Sequence, residues 1–264
     1  MFRTIVNPLR LLFLLPRRPG EFWDRASAIL SSRWEASRRV AYPTTDSETS
    51  RAILSEALDA DVAKNFSEPG LAEVSAQVYK KQALSSGGPF PAMYNGDSLL
   101  ASFCYSITRS LKARQVVETG VCYGVTSAHI LKAMQMNGEG HLDSVDIPPL
   151  GKDADAQVGR FIPEELRHRW TLHRGTSAQL LGPLLSKLGS IDMFIHDSLH
   201  TYQNMRDEFA AAWPILRPGG VLVSDDVQGN PAFQELAARL DVATHVVIQE
   251  KGKDALFGVA VKSK

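Results

Sequence analysis

The 264-residue sequence predicts an α/β fold built around a mostly parallel sheet. Five short apolar runs between residues 115 and 224 alternate with segments of helical periodicity. Apolar strands separated by helices are typical of a parallel sheet that is covered on both faces. Two further apolar segments, 244–248 and 256–261, follow each other without a helix between them and predict a closing hairpin.

Each element of this fold has its own sequence signal. Before the sheet, Asp46 is predicted to cap a helix that ends near Leu58, and two more helices are predicted over 71–83 and, capped by Asp97, over 98–112. Apolar runs predict the parallel strands at 115–118, 141–145, 170–173, 191–195 and 221–224. Amphipathic spacing predicts the helices at 126–136, 163–169, 177–188, 201–213 and 231–240. Gly182-Pro183 is expected to interrupt the third of these helices, and 217–220 is expected to form a turn before the last parallel strand.

A loop with two glycines follows the first predicted strand. Residues 116–127 read Val-Val-Glu-Thr-Gly-Val-Cys-Tyr-Gly-Val-Thr-Ser, so the strand ends in Glu118 and the loop carries Gly120 and Gly124. Glycine has no Cβ and lets the chain turn sharply and approach a ligand closely. A phosphate-binding loop would have Gly-x-Gly-x-x-Gly or a lysine after the second glycine, and this loop has neither. The loop therefore favours a zwitterionic or cationic ligand over a pyrophosphate.

This pattern resembles motif I of class I S-adenosylmethionine (AdoMet) methyltransferases, and the element order resembles their fold over about residues 90–262. The resemblance implies a doubly wound seven-stranded sheet in the order 3-2-1-4-5-7-6 with strand 7 antiparallel, preceded here by an N-terminal helical extension. It also implies that the loop wraps the methionine end of AdoMet and that Glu118 contacts its amino group. The residues expected to bind AdoMet are Glu118, Gly120, Tyr123, Gly124, Thr126, Ser127, Asp146, Thr176, Ser177 and Asp197.

Two of these expectations depend on where strands 2 and 3 end. Asp146 closes strand 2, and in a doubly wound sheet the ligand lies across the carboxyl ends of the strands. An acid at this point can accept both ribose hydroxyls, as the family's acid at this position does. Asp143, two residues earlier, is the competing candidate for this role. Residues 175–177 after strand 3 resemble the adenine-side loop of the family.

Three acids follow strands 4 and 5, which are expected to be neighbours. Asp197 follows strand 4, and Asp225 and Asp226 follow strand 5. Carboxylates crowded at one sheet edge repel each other unless a cation neutralises them, and oxygen ligands favour Mg²⁺, Mn²⁺ or Ca²⁺ over zinc. Asp197, Asp225 and Asp226 are therefore predicted to bind a divalent metal ion. The alternative is that they are ordinary strand-end and capping acids.

The segments 194–202 and 218–226 resemble metal-dependent O-methyltransferases, in particular macrolide-sugar O-methyltransferases and cephalosporin-hydroxylase-like proteins. In that branch an Asp after strand 4 and an Asp-Asp pair after strand 5 hold Mg²⁺. The family commonly has a small residue or glycine between the first of these acids and the next polar residue, whereas Ser198-Leu199 intervene here, which leaves the acceptor class open. His200, at the start of a predicted helix, is the candidate general base together with Asp197; the alternative for His200 is a capping or packing role.

These predictions combine into one function. The chain is predicted to transfer a methyl group from AdoMet to a hydroxyl of a small molecule, such as a sugar, polyketide or phenol, with a divalent metal orienting the acceptor. A non-catalytic AdoMet-binding or scaffold protein is the alternative. A nucleotide-dependent oxidoreductase is disfavoured because the dinucleotide fingerprint is missing after strand 1.

The first forty residues differ from the rest because they hold eight arginines against three acids. The apolar run between Pro8 and Pro16 is far shorter than the ~20 residues of a membrane-spanning helix. The segment is interpreted as an arm that docks on its own domain or on a partner subunit, with Trp23 and Trp34 as docking residues; contact with an anionic membrane surface is the alternative. The predicted organisation is thus an arm over 1–45, a helical cap or substrate-side region over 46–96 and an AdoMet-binding domain over 97–264.

Composition limits the setting of this domain. Lysine plus arginine and aspartate plus glutamate both number 29, so the formal charge is zero and no global basic field favours nucleic acid. The two cysteines, Cys104 and Cys122, are too few for a disulfide framework, and a cytoplasmic location is expected. A homo-oligomer is expected as well, because arms of this kind often exchange between subunits.

Overall fold

A computed structural model describes residues 11–12, 14–16, 18–34, 39–84, 97–151, 153–250 and 252–264, without the side chains of 31–34. Parts of the predicted arm and the end of the predicted cap region, 85–96, lie outside the described residues.

Seven strands form one sheet in the order β3-β2-β1-β4-β5-β7-β6, as predicted. β1 to β5 run parallel and β7 runs antiparallel to both β5 and β6. The strands are β1 Gln115–Thr119, β2 His141–Asp146, β3 Trp170–Arg174, β4 Ile191–His196, β5 Leu216–Ser224, β6 Val242–Gln249 and β7 Leu256–Lys262.

Helices cover both faces of this sheet. In chain order they are α1 Pro19–Trp34, α2 Ser47–Leu58, α3 Val62–Asn65, α4 Pro69–Ala83, α5 Ser98–Leu111, α6 Val125–Asn137, α7 Ala154–Gln157, α8 Ser177–Leu188, α9 Tyr202–Ala212 and α10 Ala232–Ala237. Two 3₁₀ turns lie at Glu164–Arg169 and Val227–Gly229. On one face Phe103, Leu131 and Ile195 belong to one buried core, and on the other Phe194, Phe209 and Trp213 belong to a second. The apolar strands supply both cores because their side chains alternate between the two faces.

Three local predictions need correction. α8 continues through Pro183, because the leucines at 181, 184 and 185 bury one face of the helix and packing outweighs the lost backbone hydrogen bond. Residues 217–220 belong to β5 rather than to a turn, and the pairing of β4 with β5 shifts register between Ile191 and Met193 to accommodate them.

The third correction concerns the start of α5. The Asp97 side chain makes no capping hydrogen bond and pairs with Lys253 instead. The buried carboxylate of Glu250, which follows β6, accepts hydrogen bonds from the backbone amides of Leu99 and Leu100 at 3.1 and 3.2 Å. A residue that is distant in sequence therefore satisfies the free amides of this helix.

α1 is the largest element without a specific sequence prediction. It packs on the domain itself, in agreement with the docking interpretation of the arm, and its contacts lie beyond the carboxyl ends of β2 and β3. Trp23 does not dock on its own domain, because this side chain is 65% exposed. Within the described part of the chain, no helix is long and apolar enough to cross a membrane.

Candidate active site

The glycine loop between β1 and α6 is held against the end of β4. Gly120 has φ +84°, and a Cβ on it would lie 1.9 Å from the carbonyl oxygen of Asp197. The amide of Asp197 donates to the carbonyl of Thr119 at 2.8 Å, and the amide of Gly120 donates to Val145 at 2.9 Å. Only glycine fits this position, and the absence of its side chain brings the loop into direct contact with the predicted metal-site strand.

Glu118 lies at the base of this loop and is buried. Its Oε2 accepts hydrogen bonds from the hydroxyls of Ser127 and Ser144 at 2.7 and 2.8 Å. Its Oε1 is buried and has no hydrogen-bond partner among the described residues. Burial raises the pKa of Glu118 to about 7, although the two hydroxyls oppose the shift. One oriented carboxylate oxygen therefore remains to accept a hydrogen bond from a donor or a cation.

Asp146 caps the first half of the loop. Its Oδ2 accepts from the amides of Val121 and Cys122 at 3.3 and 3.1 Å. Burial raises the pKa of Asp146 to about 6, while these amides pull it down. Asp143, the competing candidate, is instead occupied with His173 at 2.7 Å and Gln115 at 2.8 Å. Of the two acids, Asp146 is therefore the one that lies at the glycine loop.

The second half of the loop packs into the domain. The ring of Tyr123 lies 5.0 Å from that of Phe161, and a Cβ on Gly124 would lie 2.8 Å from the Cα of Gly159. Thr126 is 4% exposed, at the start of α6. Tyr123 and Gly124 thus hold the loop in place against residues 159–162.

Three potential ligand groups converge where β4 and β5 end. Asp197, His200 and Asp225 each offer one ligand atom, and these atoms lie within 4.8 Å of one another. His200 Nε2 is 3.7 Å from Asp197 Oδ1 and 3.9 Å from Asp226 Oδ2. Asp226 has a left-handed backbone with φ +50°, and its Oδ1 accepts from Gln228 at 3.0 Å. Asp226 therefore borders the three-residue group without belonging to it.

The charges of this group are unbalanced. Burial, followed by the charge of Asp225, raises the pKa of Asp197 well above its usual value. Burial and the charge of Asp226 do the same for Asp225, whose Oδ1 has no hydrogen-bond partner among the described residues. Burial lowers the pKa of His200 to about 4, so its imidazole is neutral near pH 7. Two carboxylates that resist ionisation beside a neutral imidazole are a donor set that fits a divalent cation.

Comparison with known proteins gives the class of this site. Residues 117–227, which hold the glycine loop and the acids, match the family model described as "Methyltransferase domain". Over this stretch the chain is similar to a methyltransferase domain. The predicted resemblance to class I methyltransferases and the predicted sheet order are thereby confirmed.

Two solved structures share the fold of this chain. One is the O-methyltransferase TomG from Streptomyces achromogenes in complex with SAM, which is 19% identical and aligns over 84% of this chain and 100% of its own with a TM-score of 0.54. The other is the cofactor-bound Rv0187 from MTB, which is 16% identical and aligns over 75% of this chain and 91% of its own with a TM-score of 0.52. Among curated protein sequences, none matches the chain.

The residues predicted to lie on the adenine side form hydrogen bonds with neighbouring helices. Thr176 Oγ1 donates to Asp24 Oδ2 on α1 at 2.6 Å. Ser177 Oγ donates to Asn204 Oδ1 on α9 at 3.3 Å. These contacts fix the loop after β3, and they bring α1 to the edge of the site.

A buried acid on α9 was missed by the sequence analysis. Glu208 accepts from His196 Nδ1 at 2.6 Å, from Thr119 at 2.5 Å and from Ser198 at 2.7 Å. Burial raises the pKa of Glu208, but the charge of His196 and these donors outweigh it and lower the pKa to about 2. The His196 ring packs edge-on against His200, with 5.2 Å between centroids. The signal was a single acid beside Met205 and Phe209 on the buried face of an amphipathic helix.

Proposed function

We propose that the chain is an AdoMet-dependent O-methyltransferase that methylates a hydroxyl of a small molecule or sugar with the help of a divalent cation. The contact between Gly120 and the main chain of Asp197 carries this proposal, because it places the glycine loop and the acidic group at one sheet edge. The same fold in TomG, an O-methyltransferase solved with SAM, supports it.

The donor half of the site fits the methionine and ribose ends of AdoMet. Glu118 Oε1 would accept from the amino group, and Asp146 would accept from the ribose hydroxyls. AdoMet, when bound, supplies a methyl group made electrophilic by the sulfonium, so the protein has to position the acceptor and remove one proton. Gly120 keeps the loop free of side chains where the donor approaches.

The other half fits a cation. Asp197, His200 and Asp225 would hold it, with Asp226 beside them, and the carboxylates favour Mg²⁺, Mn²⁺ or Ca²⁺. A divalent cation in such a site lowers the pKa of an acceptor hydroxyl and orients it. His200 is neutral near pH 7, and the same lone pair on Nε2 serves either as a metal ligand or as the base that takes the acceptor proton.

The acceptor side is assigned to the cap region, 46–96, and to the loops after β4 and β5. A cavity of about 1030 Å³ opens between α2, α4, α5 and the hairpin of β6 and β7, and its polar lining includes Ser98, Ser102 and Lys253. Lys253 in this lining pairs with Asp97, whose charge raises the pKa of Asp225 in the acidic group. Hydroxyl, amide and charged groups of this kind suit a polyhydroxylated acceptor.

The experiment has two readouts. Calorimetry with AdoMet and with NAD⁺, each with and without Mg²⁺, should show binding of AdoMet alone. Mass spectrometry of reactions with sugars, phenols and polyketides should show products heavier by one methylene, and EDTA should suppress them. AdoMet binding without any methylated product would favour the non-catalytic alternative. Absence of AdoMet binding would refute the donor assignment.

We also propose a cytoplasmic enzyme, a homo-oligomer and contact of residues 1–40 with an anionic membrane surface. The contact is supported by the orientation of α1, because its acids Glu21 and Asp24 point into the domain. Trp23 and Leu30, 65% and 67% exposed, lie seven residues apart on its outer face. Exposed apolar side chains in an arginine-rich segment are the composition of an interfacial helix.

A further inference from the structure

We infer that α1 is the outer wall of the nucleoside half of the donor site and that Arg25 is a positioning residue for Asp146. This inference rests on the proposed binding of AdoMet. It adds an element from outside the matched domain, since α1 ends more than eighty residues before Val117, where the match begins.

Arg25 joins α1 to the loop that follows β2. Its Nη2 donates to the carbonyl of Pro148 at 2.5 Å, and its Nε donates to Glu21 Oε1 at 3.0 Å. Only 12% of the Arg25 side chain is exposed. Pro148 lies two residues after Asp146, so the guanidinium fixes the backbone from which the ribose acid projects.

Glu21 extends this connection to β3. Its buried carboxylate pairs with Arg25 at 2.9 Å and with Arg174, the last residue of β3, at 3.1 Å. Arg174 in turn pairs with Asp155 of α7. One turn of α1 therefore ties together the segments after β2 and β3 through charge-assisted hydrogen bonds, which are the strong ones in proteins.

A third contact completes the wall. Asp24 accepts from Thr176 in the loop after β3 at 2.6 Å. In a doubly wound sheet, the nucleoside of a bound ligand lies outside the carboxyl ends of these strands. The polar contacts of α1 with the rest of the domain thus fall on the three segments expected to surround the ribose and the adenine.

Arg25 also balances the charge of the acid that it positions. It is the cation whose charge lowers the pKa of Asp146 against the effect of burial. A carboxylate accepts ribose hydroxyls as an ion more strongly than as a neutral acid. Geometry and charge therefore assign the same role to Arg25.

The test compares Arg25→Ala with Arg18→Ala in the full chain. Arg18 also contacts Glu21, at 3.3 Å, but its side chain is 50% exposed. Arg25→Ala should raise the Kd for AdoMet and for 5′-methylthioadenosine, which lacks the amino-acid end, by a similar factor of about ten or more. Arg18→Ala should change both values less than about twofold, and Mn²⁺ affinity should be the same in both variants and the wild type.

Each other outcome has a distinct meaning. Unchanged Kd values in a folded Arg25→Ala, equal losses in Arg18→Ala, or a loss for AdoMet but not for 5′-methylthioadenosine would overturn the inference. Failure of the wild type to bind AdoMet would refute the proposed function instead. If Arg25→Ala does not fold, Arg25→Lys replaces it: an ammonium lacks the planar fork that reaches both partners, so both Kd values should rise about threefold, and wild-type values would overturn the inference.

Discussion

The two halves of the active site both bury carboxylates, but they treat the charge differently. In the donor half, Glu118 and Asp146 accept hydrogen bonds from serine hydroxyls and loop amides. In the other half, ligand atoms of Asp197, His200 and Asp225 lie within 4.8 Å of one another, and the charge of Asp225 raises the pKa of Asp197. Burial is the largest cause of the raised pKa in both halves. For Glu118 and Asp146 the next causes are hydrogen bonds that lower the pKa, whereas for Asp197 and Asp225 the next cause is a neighbouring negative charge that raises it further.

This difference indicates what each half requires from its ligand. In the donor half, protein hydrogen-bond donors already stabilise the carboxylates of Glu118 and Asp146. The ligand has to supply a hydrogen-bond donor for one oxygen of Glu118. The acidic half stabilises its charges only when positive charge arrives. A neutral or monocationic organic donor and a divalent metal ion therefore match different halves of one sheet edge.

Loss of one acid from each half should separate the two ligands, and this is the largest effect that we expect. Asp225→Ala should lower turnover at least about 10³-fold while AdoMet binds within about threefold of the wild type, because the cation is lost. Asp146→Ala should weaken AdoMet binding at least about tenfold and leave Mn²⁺ affinity unchanged. Calorimetry and electron paramagnetic resonance measure the two affinities. The comparison fails if both variants lose the same ligand.

The contact between Gly120 and Asp197 joins the two halves of the site and should not tolerate a methyl group at position 120. Gly120→Ala places a Cβ against the carbonyl of Asp197 in a backbone that already has positive φ, so we expect a loss of at least about 4 kcal/mol in the free energy of unfolding. Gly138→Ala is the matched control, because Gly138 has φ +77° but nothing within 4 Å, and should lose about 1 kcal/mol. Urea denaturation measures the free energy of unfolding of both variants. Similar losses would show that the close contact with Asp197 does not add to the cost of the substitution.

Stability should depend on pH through Glu118. Its pKa rises from 4.5 to about 7 on folding, so between these values the folded state holds more protons than the unfolded chain and stability falls as pH rises. Glu118→Gln removes this dependence. The stability of the variant relative to the wild type should therefore increase from pH 4.5 to 7 by on the order of 3 kcal/mol. A constant difference across urea titrations at several pH values would contradict the assignment.

The smallest effect concerns the outer face of α1, whose inner face serves the donor half. The double variant Trp23→Ala/Leu30→Ala should bind vesicles of phosphatidylcholine and phosphatidylglycerol about tenfold more weakly than the wild type in sedimentation assays. Leu240→Ala is the control, since Leu240 is fully exposed elsewhere on the surface. Equal binding by both variants, or no binding by the wild type, would remove the membrane proposal.

The sheet was predictable because its signals are local. Apolar runs ending in Glu118, Asp146 and Asp197 mark the strands, and parallel topology brings their ends to one edge. The same rule predicted that acids after β4 and β5 would meet. It did not distinguish Asp225 from Asp226. Asp225 belongs to the three-residue group with Asp197 and His200, whereas Asp226, whose backbone has φ +50°, borders that group.

α1 was not predictable in the same way, although Pro19 and Glu21 are typical of a helix start. Its inner face is polar, so no apolar periodicity marks it. Its contacts join residues more than 120 positions apart, such as Arg25 with Pro148 and Glu21 with Arg174. The contacts of Glu250 with the start of α5 and of Glu208 with His196 were unpredictable for the same reason, because only the tertiary structure brings these partners together.

The pair of His196 and Glu208 has a consequence for sequence variation. Glu208 is ionised and buried, so an apolar residue at position 196 alone would remove the ion-pair partner of its carboxylate. The free energy of unfolding would fall by about 3–5 kcal/mol. An apolar pair of similar volume at 196 and 208 would avoid that cost. We therefore expect substitutions at positions 196 and 208 to occur together in related sequences, because either substitution alone destabilises the fold.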